Sequence, residues 1–235
     1  MWPIPALEHE LCTVSFSPDS MTCSWIQKTH NGPAPLALCA YKRYDLDNLE
    51  LAHLTLFNPT IIRNNINSFL QEYNKRDAFI AFSLDGPAVT EQCIALPTST
   101  PHRADFGIAH SSNMLWEYRY LYPNDHGQFV FYVYMVPRSL VLQYQLLAIA
   151  TKCNLITITT QNMALLTAYK HIFGTAFRRS QFGIDMMRRN NRFDLLISND
   201  ALRRMVTTSS AVSALENERV SIATACGLFF DERIV

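Results

Sequence analysis

The sequence predicts a mixed α/β fold, and three observations carry that reading. Residues 129–173 spell strand, helix, strand, helix: the apolar run FVFYVYMV stops at Pro137, a helical segment follows, the run LITIT begins at Leu155, and a second helical segment closes the cassette. Residues 11–84 spell three strands, a helix and a strand. Of the 235 residues, 49% are hydrophobic and 17% charged, a globular balance that can bury one large core or two small ones.

Taken in order, Cys12, Val14 and Phe16 alternate with Thr13, Ser15 and Ser17; Ser17-Pro18-Asp19-Ser20 makes a turn; Met21, Cys23 and Trp25 alternate again, completing a hairpin. His30–Pro35 is a polar, proline-rich loop, and a third strand follows over Leu36–Tyr41. A helix then starts with Asn58 as cap and Pro59 at its first position, and places Ile62, Ile66, Phe69, Leu70 and Tyr73 on one face. Ala78–Leu84 is a buried strand.

From Glu91 the pattern is that of a smaller unit, with strands at Gln92–Leu96, Trp116–Tyr122 and Phe129–Val136 and a polar stretch, Pro97–Asn113, between the first two. The unbroken aromatic and β-branched run of Phe129–Val136 predicts burial on both faces. Leu140, Tyr144, Leu147 and Ala148 then recur at helical spacing. Val141, Leu142, Leu146 and Ile149 make this helix apolar nearly all round, so it is expected to pack inside the protein. Lys152, Cys153 and Asn154 end it, Leu155–Thr159 returns as a strand, and Asn162 is placed to cap a helix carrying Leu165, Tyr169 and Phe173. After Phe177 a small β-meander is expected, with strands at Phe182–Met187, Phe193–Ser198 and Arg203–Thr208. The units are therefore residues 1–90 with 155–177, an insertion over 91–154, and a remainder over 178–235.

Charge and composition narrow the function. Formal net charge is zero, which argues against a general nucleic-acid binder, because phosphate neutralisation needs surplus Lys and Arg. MWPIPALEHEL lacks the basic start and apolar stretch of a secretory signal, and no apolar run approaches the ~20 residues of a spanning helix, so a soluble or peripheral protein is expected. Six cysteines, Cys12, Cys23, Cys39, Cys93, Cys153 and Cys226, never fall in a C-x-x-C pair, which makes a zinc site improbable and favours buried free thiols. No G-x-G-x-x-G, Walker A, G-x-S-x-G or H-E-x-x-H motif is present. Cys93 with His102 or His110 is the one cysteine–histidine pairing that suggests a nucleophile, against the simpler reading of a core thiol and solvated loop histidines.

Three strands, a helix, a strand, an inserted β-α-β-β unit, then a return strand and helix: this order resembles the first half of an actin-like ATPase, an RNase H-like fold. Within that superfamily the chain is similar to the PilM family of type IV pilus assembly proteins, in its shortened, HofM-like branch. The segments that carry the likeness are the first hairpin, Cys39-Ala40-Tyr41-Lys42, the strand end Cys93-Ile94-Ala95-Leu96-Pro97, the buried strand Phe129–Val136, and the C-terminal stretch Ala223-Thr224-Ala225-Cys226-Gly227-Leu228-Phe229-Phe230. Actin-like ATPases put an Asp-x-Gly at the first hairpin, where the acid directs Mg²⁺ and the glycine lets backbone N–H groups approach phosphate. This chain has Ser15-Phe16-Ser17 there, and Asp185-Met186-Met187 at the matching second turn keeps the acid and loses the glycine. The resemblance thus implies a degenerate actin-like protein with a truncated second domain, no bound cofactor or metal and no catalysis.

What it implies instead is a cytoplasmic adaptor, peripheral to a bacterial inner membrane, in a type IV pilus, competence or type II secretion-like platform. Its partner would be a PilN-like bitopic membrane protein, whose short cytoplasmic tail it holds, with other platform proteins or the assembly ATPase as further candidates. The alternatives are an actin-like ATP-binding protein or ATPase, and a cysteine-dependent α/β enzyme. Trp116, Tyr118, Tyr120 and Tyr122 alternate along one strand and are expected to share one side of it, either as packing or as a peptide groove. Arg178, Arg179, Arg188, Arg189, Arg192, Arg203 and Arg204 fall within 27 residues. They are either solvated turn residues or, around Arg188, Arg189 and Arg192, a basic patch for anionic lipid or an acidic surface.

Overall fold

The computed structural model describes residues 10–17, 20–30, 34–46, 59–75, 77–86, 88–108, 113–173, 198–208 and 218–230. β1 (Glu10–Ser17) and β2 (Ser20–Lys28) form the expected hairpin, and β3 (Leu36–Asp45) pairs antiparallel with β2. α1 (Pro59–Glu72) leads to β4 (Phe79–Leu84), which lies parallel to β1. Then come β5 (Thr90–Leu96), a turn of 3-10 helix at Arg103–Phe106, β6 (Met114–Pro123) and β7 (Phe129–Pro137). α2 (Arg138–Ala150), β8 (Asn154–Thr160) and α3 (Gln161–Phe173) come next, followed by α4 (Asn199–Met205), β9 (Val206–Thr208) and α5 (Arg219–Phe230).

The main sheet has the order β8-β4-β1-β2-β3-β9, in which β2 alone runs against its neighbours. This is an actin-like, RNase H-like fold. A second sheet, β5-β7-β6, is antiparallel and follows β4 in the chain.

Two helical layers sandwich the main sheet. On one face Phe16 and Phe82 pack against Tyr144 of α2, with ring centroids 5.4 and 5.3 Å apart, and α1 adds Ile62, Ile66, Phe69 and Leu70 to the same core. On the other, Leu11 and Ala81 meet Ala164 of α3 and Leu228 of α5. The hydroxyl residues of the first hairpin are as buried as its apolar ones: Thr13 and Ser15 share Leu11's face. α5 lies so close to α3 that a Cβ on Gly227 would stand 1.8 Å from the Ala164 carbonyl oxygen. Its amino end is tied to β3, where the Tyr41 hydroxyl donates to Glu218 Oε2 at 2.6 Å and Arg43 Nη1 lies 3.3 Å from Oε1.

Both helices of the first layer end alike. Lys75 N–H reaches the Leu70 carbonyl past Asn74 (φ 54°), and Cys153 N–H reaches the Ala148 carbonyl past Lys152 (φ 57°), so each stop is a left-handed residue that closes a backbone bond six residues wide.

Several expectations are corrected. α2 does not pack inside on all sides: Leu142, Leu146 and Ile149 are 51%, 63% and 71% exposed, because only the stripe of Leu140, Val141, Tyr144, Leu147 and Ala148 meets the sheet. Arg203–Thr208 is not one strand: Ser198 Oγ accepts from Ala201 N–H, caps α4 through Met205, and leaves three residues for β9, which pairs parallel with β3. The expected strand Phe182–Met187, and all but Ser198 of Phe193–Ser198, lie outside the described residues. Asn162 does not cap α3; Thr160 Oγ1 accepts from Met163 N–H instead. Of the cysteines only Cys12, Cys23 and Cys226 are buried; Cys39 is exposed and Cys93 and Cys153 are half-buried, all six as free thiols.

Candidate functional site at the inserted sheet

The central strand β7 is buried on both faces, as its sequence predicts. Val130, Tyr132, Tyr134 and Val136 point into the main core, while Phe131 and Val133 join Leu96 and Phe106 in a separate outer cluster. β6 is an edge strand of this sheet, and its aromatic side chains cover that outer cluster. Phe106, delivered by the 3-10 turn, is the hub: its ring centroid lies 5.6 Å from Trp116, 4.6 Å from Tyr118 and 5.6 Å from Phe131. The Tyr118 hydroxyl donates to the Pro101 carbonyl at 3.2 Å, and the Arg103 guanidinium stands 5.1 Å over the Trp116 ring.

The four aromatic residues do not share one side. The β6–β7 register shifts between Tyr120 and Tyr122, so Leu121 enters the main core and Tyr122 opposes Val130 on the inner face. A bulge adds one residue to one strand and reverses every side chain beyond it. Trp116, Tyr118 and Tyr120 remain a half-buried outer stripe beside a strand edge.

Where the two sheets meet, a polar cluster links four elements. Glu91 in β5 accepts a hydrogen bond from Asn162 Nδ2 at the start of α3, and Tyr132 of β7 and Thr160 at the end of β8 lie beside the same carboxyl. Burial pushes the Glu91 carboxyl above its ordinary value, the Asp85 charge after β4 adds to the rise, and the nearby polar groups of Thr160, Tyr132 and Asn162 oppose it. Burial and the neighbouring Glu91 push the Tyr132 phenol up as well. The arrangement holds the second sheet to the strand ends of the main sheet. Sequence reasoning missed it; the signal available was an acidic residue opening an otherwise apolar strand, with an Asp85-Gly86 turn just before it.

The other expected positions are less assembled. Ser15 Oγ is buried and hydrogen-bonded to Thr22 Oγ1 across the hairpin, and Ser17 opposes Ser20 at its closed end. Asp185, Met187, Arg188, Arg189 and Arg192 lie outside the described residues, as does His110. Burial raises the Cys93 thiol to about 12, which keeps it protonated at neutral pH, and His102 is exposed on the 3-10 turn. Among the described residues, no group of three His, Cys, Asp or Glu side chains is arranged to hold a metal ion, and no helix is long and apolar enough to cross a membrane.

No protein-family model matches this sequence, and no curated protein does. Among solved structures, the PilM-PilN type IV pilus biogenesis complex aligns at TM-score 0.54 and 15% identity over 70% of this chain and 51% of that one, so the chain spans about half the length of that relative. The cytoplasmic domain of EpsL, an inner membrane component of the type II secretion system of Vibrio cholerae, aligns at TM-score 0.37 and 11% identity, over 66% of this chain and 57% of that one. A Bacteroides thetaiotaomicron protein with an actin-like ATPase fold and unknown function aligns at TM-score 0.33 and 14% identity, over 73% and 59%.

Proposed function

We propose that this protein is a PilM-like adaptor that holds an extended cytoplasmic segment of a PilN-like membrane protein along the β6 edge, and that it does so without catalysing a reaction. One observation carries the reading: on a fold shared with PilM, the inserted sheet ends in an edge strand flanked by half-buried aromatic side chains. An edge strand offers main-chain N–H and C=O groups to a peptide, and adjacent aromatic side chains offer selectivity. The platform is a type IV pilus or related secretion assembly, and attachment to the membrane comes through the partner.

The experiment is calorimetry of the full chain with the cytoplasmic segment of a short bitopic membrane protein encoded beside it. Tyr120→Ala is expected to weaken binding by ~1–2 kcal/mol while leaving the fold intact. Absence of binding by the wild type, or binding by both Tyr118→Ala and Tyr120→Ala equal to that of the wild type, would remove β6 as the site. The ATP-binding alternative is tested separately: a nucleotide at a hundred times its dissociation constant stabilises by ~3 kcal/mol, and a Tm increase of that size in Mg-ATP would establish the alternative.

A further inference from the structure

We propose that the cleft between α1 and α2 is a docking site for an acidic amphipathic helix of a partner protein. The cleft, of about 300 Å³, is lined by Pro59, Thr60 and Arg63 of α1 and by Gln143, Leu146, Leu147 and Ala150 of α2. Beside it Leu142, Leu146 and Ile149 stand exposed at successive turns of α2, and Ile61 stands exposed on α1. A solvent-facing stripe at this spacing has the form of one half of a helix–helix contact, in which side chains of a third helix fill the groove between two others.

The charges choose the occupant. α2 contains no acidic residue, and α1 has one, Glu72, at its last position, where it pairs with Lys42 at 2.5 Å. Among the described residues, the exposed charges that flank the stripe on the two helices are Arg63 on α1, Arg138 at the start of α2 and Lys152 just past its end, all positive, with exposed Asp77 lying beyond that end near Cys153. A second copy docked through this same face would bring these cations together, and a bilayer, being flat, would leave the concave cleft unfilled. A helix with aliphatic residues on one face and carboxylates flanking them satisfies both the groove and the rim. The surface belongs to the helical layer rather than to β6, so it stands whatever binds that edge.

The test uses the full chain and two capped synthetic peptides of about five helical turns, with the same leucine stripe and either glutamate or lysine on the flanks. Fluorescence anisotropy is expected to show binding of the glutamate peptide, weakened roughly tenfold or more by Leu146→Glu and by Arg63→Glu, with the lysine peptide regaining affinity on Arg63→Glu. Ile149→Glu is the second apolar variant, and an unchanged circular dichroism spectrum and Tm show that each variant is folded. Equal affinity for both peptides, no binding of either, or binding indifferent to Leu146→Glu and Ile149→Glu would overturn the proposal. So would wild-type self-association, or binding to vesicles containing phosphatidylglycerol, that Leu146→Glu abolishes while the glutamate peptide fails to bind.

Discussion

The two helical layers that cover the main sheet solve the same problem with opposite materials. Under α3 and α5 the sheet presents small and hydroxyl side chains, Thr13, Ser15, Ala81 and Ser83, and Gly227 lets the two helices meet at backbone distance. Under α1 and α2 the sheet presents Phe16 and Phe82, and Tyr144 wedges between them. Small residues let α3 and α5 meet at backbone distance, whereas large rings fill the space under α1 and α2, between which a cleft opens while part of α2 stays outside the core. Close packing seals a surface, whereas a cleft leaves one that can be used.

That contrast can be broken from either side. Removing volume should harm the large-residue layer most: Tyr144→Ala is expected to cost ~3–5 kcal/mol, read as a fall in denaturation midpoint, because the two phenylalanines keep an unfilled space between them. Adding volume should harm the close layer: Gly227→Ala is expected to cost about 3 kcal/mol, since its Cβ meets backbone and no rotamer change relieves the contact. Comparable stability of Gly227→Ala and the wild type would mean that α5 and α3 do not approach as described.

The junction between the sheets predicts a pH effect of intermediate size. The folded state holds the Glu91 carboxyl above its ordinary value and so binds that proton more tightly than the unfolded chain does. Stability from this group is therefore greatest below the ordinary carboxylate value and declines as pH rises through that value to the raised one. Glu91→Gln should flatten this decline, measured as urea midpoint against pH. Retention of the full slope in Glu91→Gln would place its source elsewhere. The smallest effect is expected on the open layer, where Leu146→Glu should change stability by less than ~0.5 kcal/mol, because the side chain already faces water. A large loss of Tm in that variant would show the stripe to be covered within the chain.

Most strands, and helix existence, were legible because they rest on local patterns. The alternation of Cys12, Val14 and Phe16, the run Phe129–Val136 and the spacing of Ile62, Ile66, Phe69 and Leu70 each appear in the structure as a strand or a helix face. The candidate site was less legible. Trp116, Tyr118 and Tyr120 follow period two as read, but nothing in the local sequence marks the bulge that carries Tyr122 to the other face. Arg203, Arg204 and Met205 read as part of a strand, and the Ser198 cap made them helical instead.

The sequence by itself determined the order of elements as far as α3, the buried character of β7 and the burial of the α1 stripe, because backbone periodicity and apolar spacing act over a few residues. Tertiary structure alone decided which side of an all-apolar helix stays outside, why hydroxyl residues such as Thr13 are buried, and how Glu91, Tyr132, Thr160 and Asn162 come together across four elements. Those outcomes depend on what another part of the chain brings to the same place, and periodicity carries no information about that.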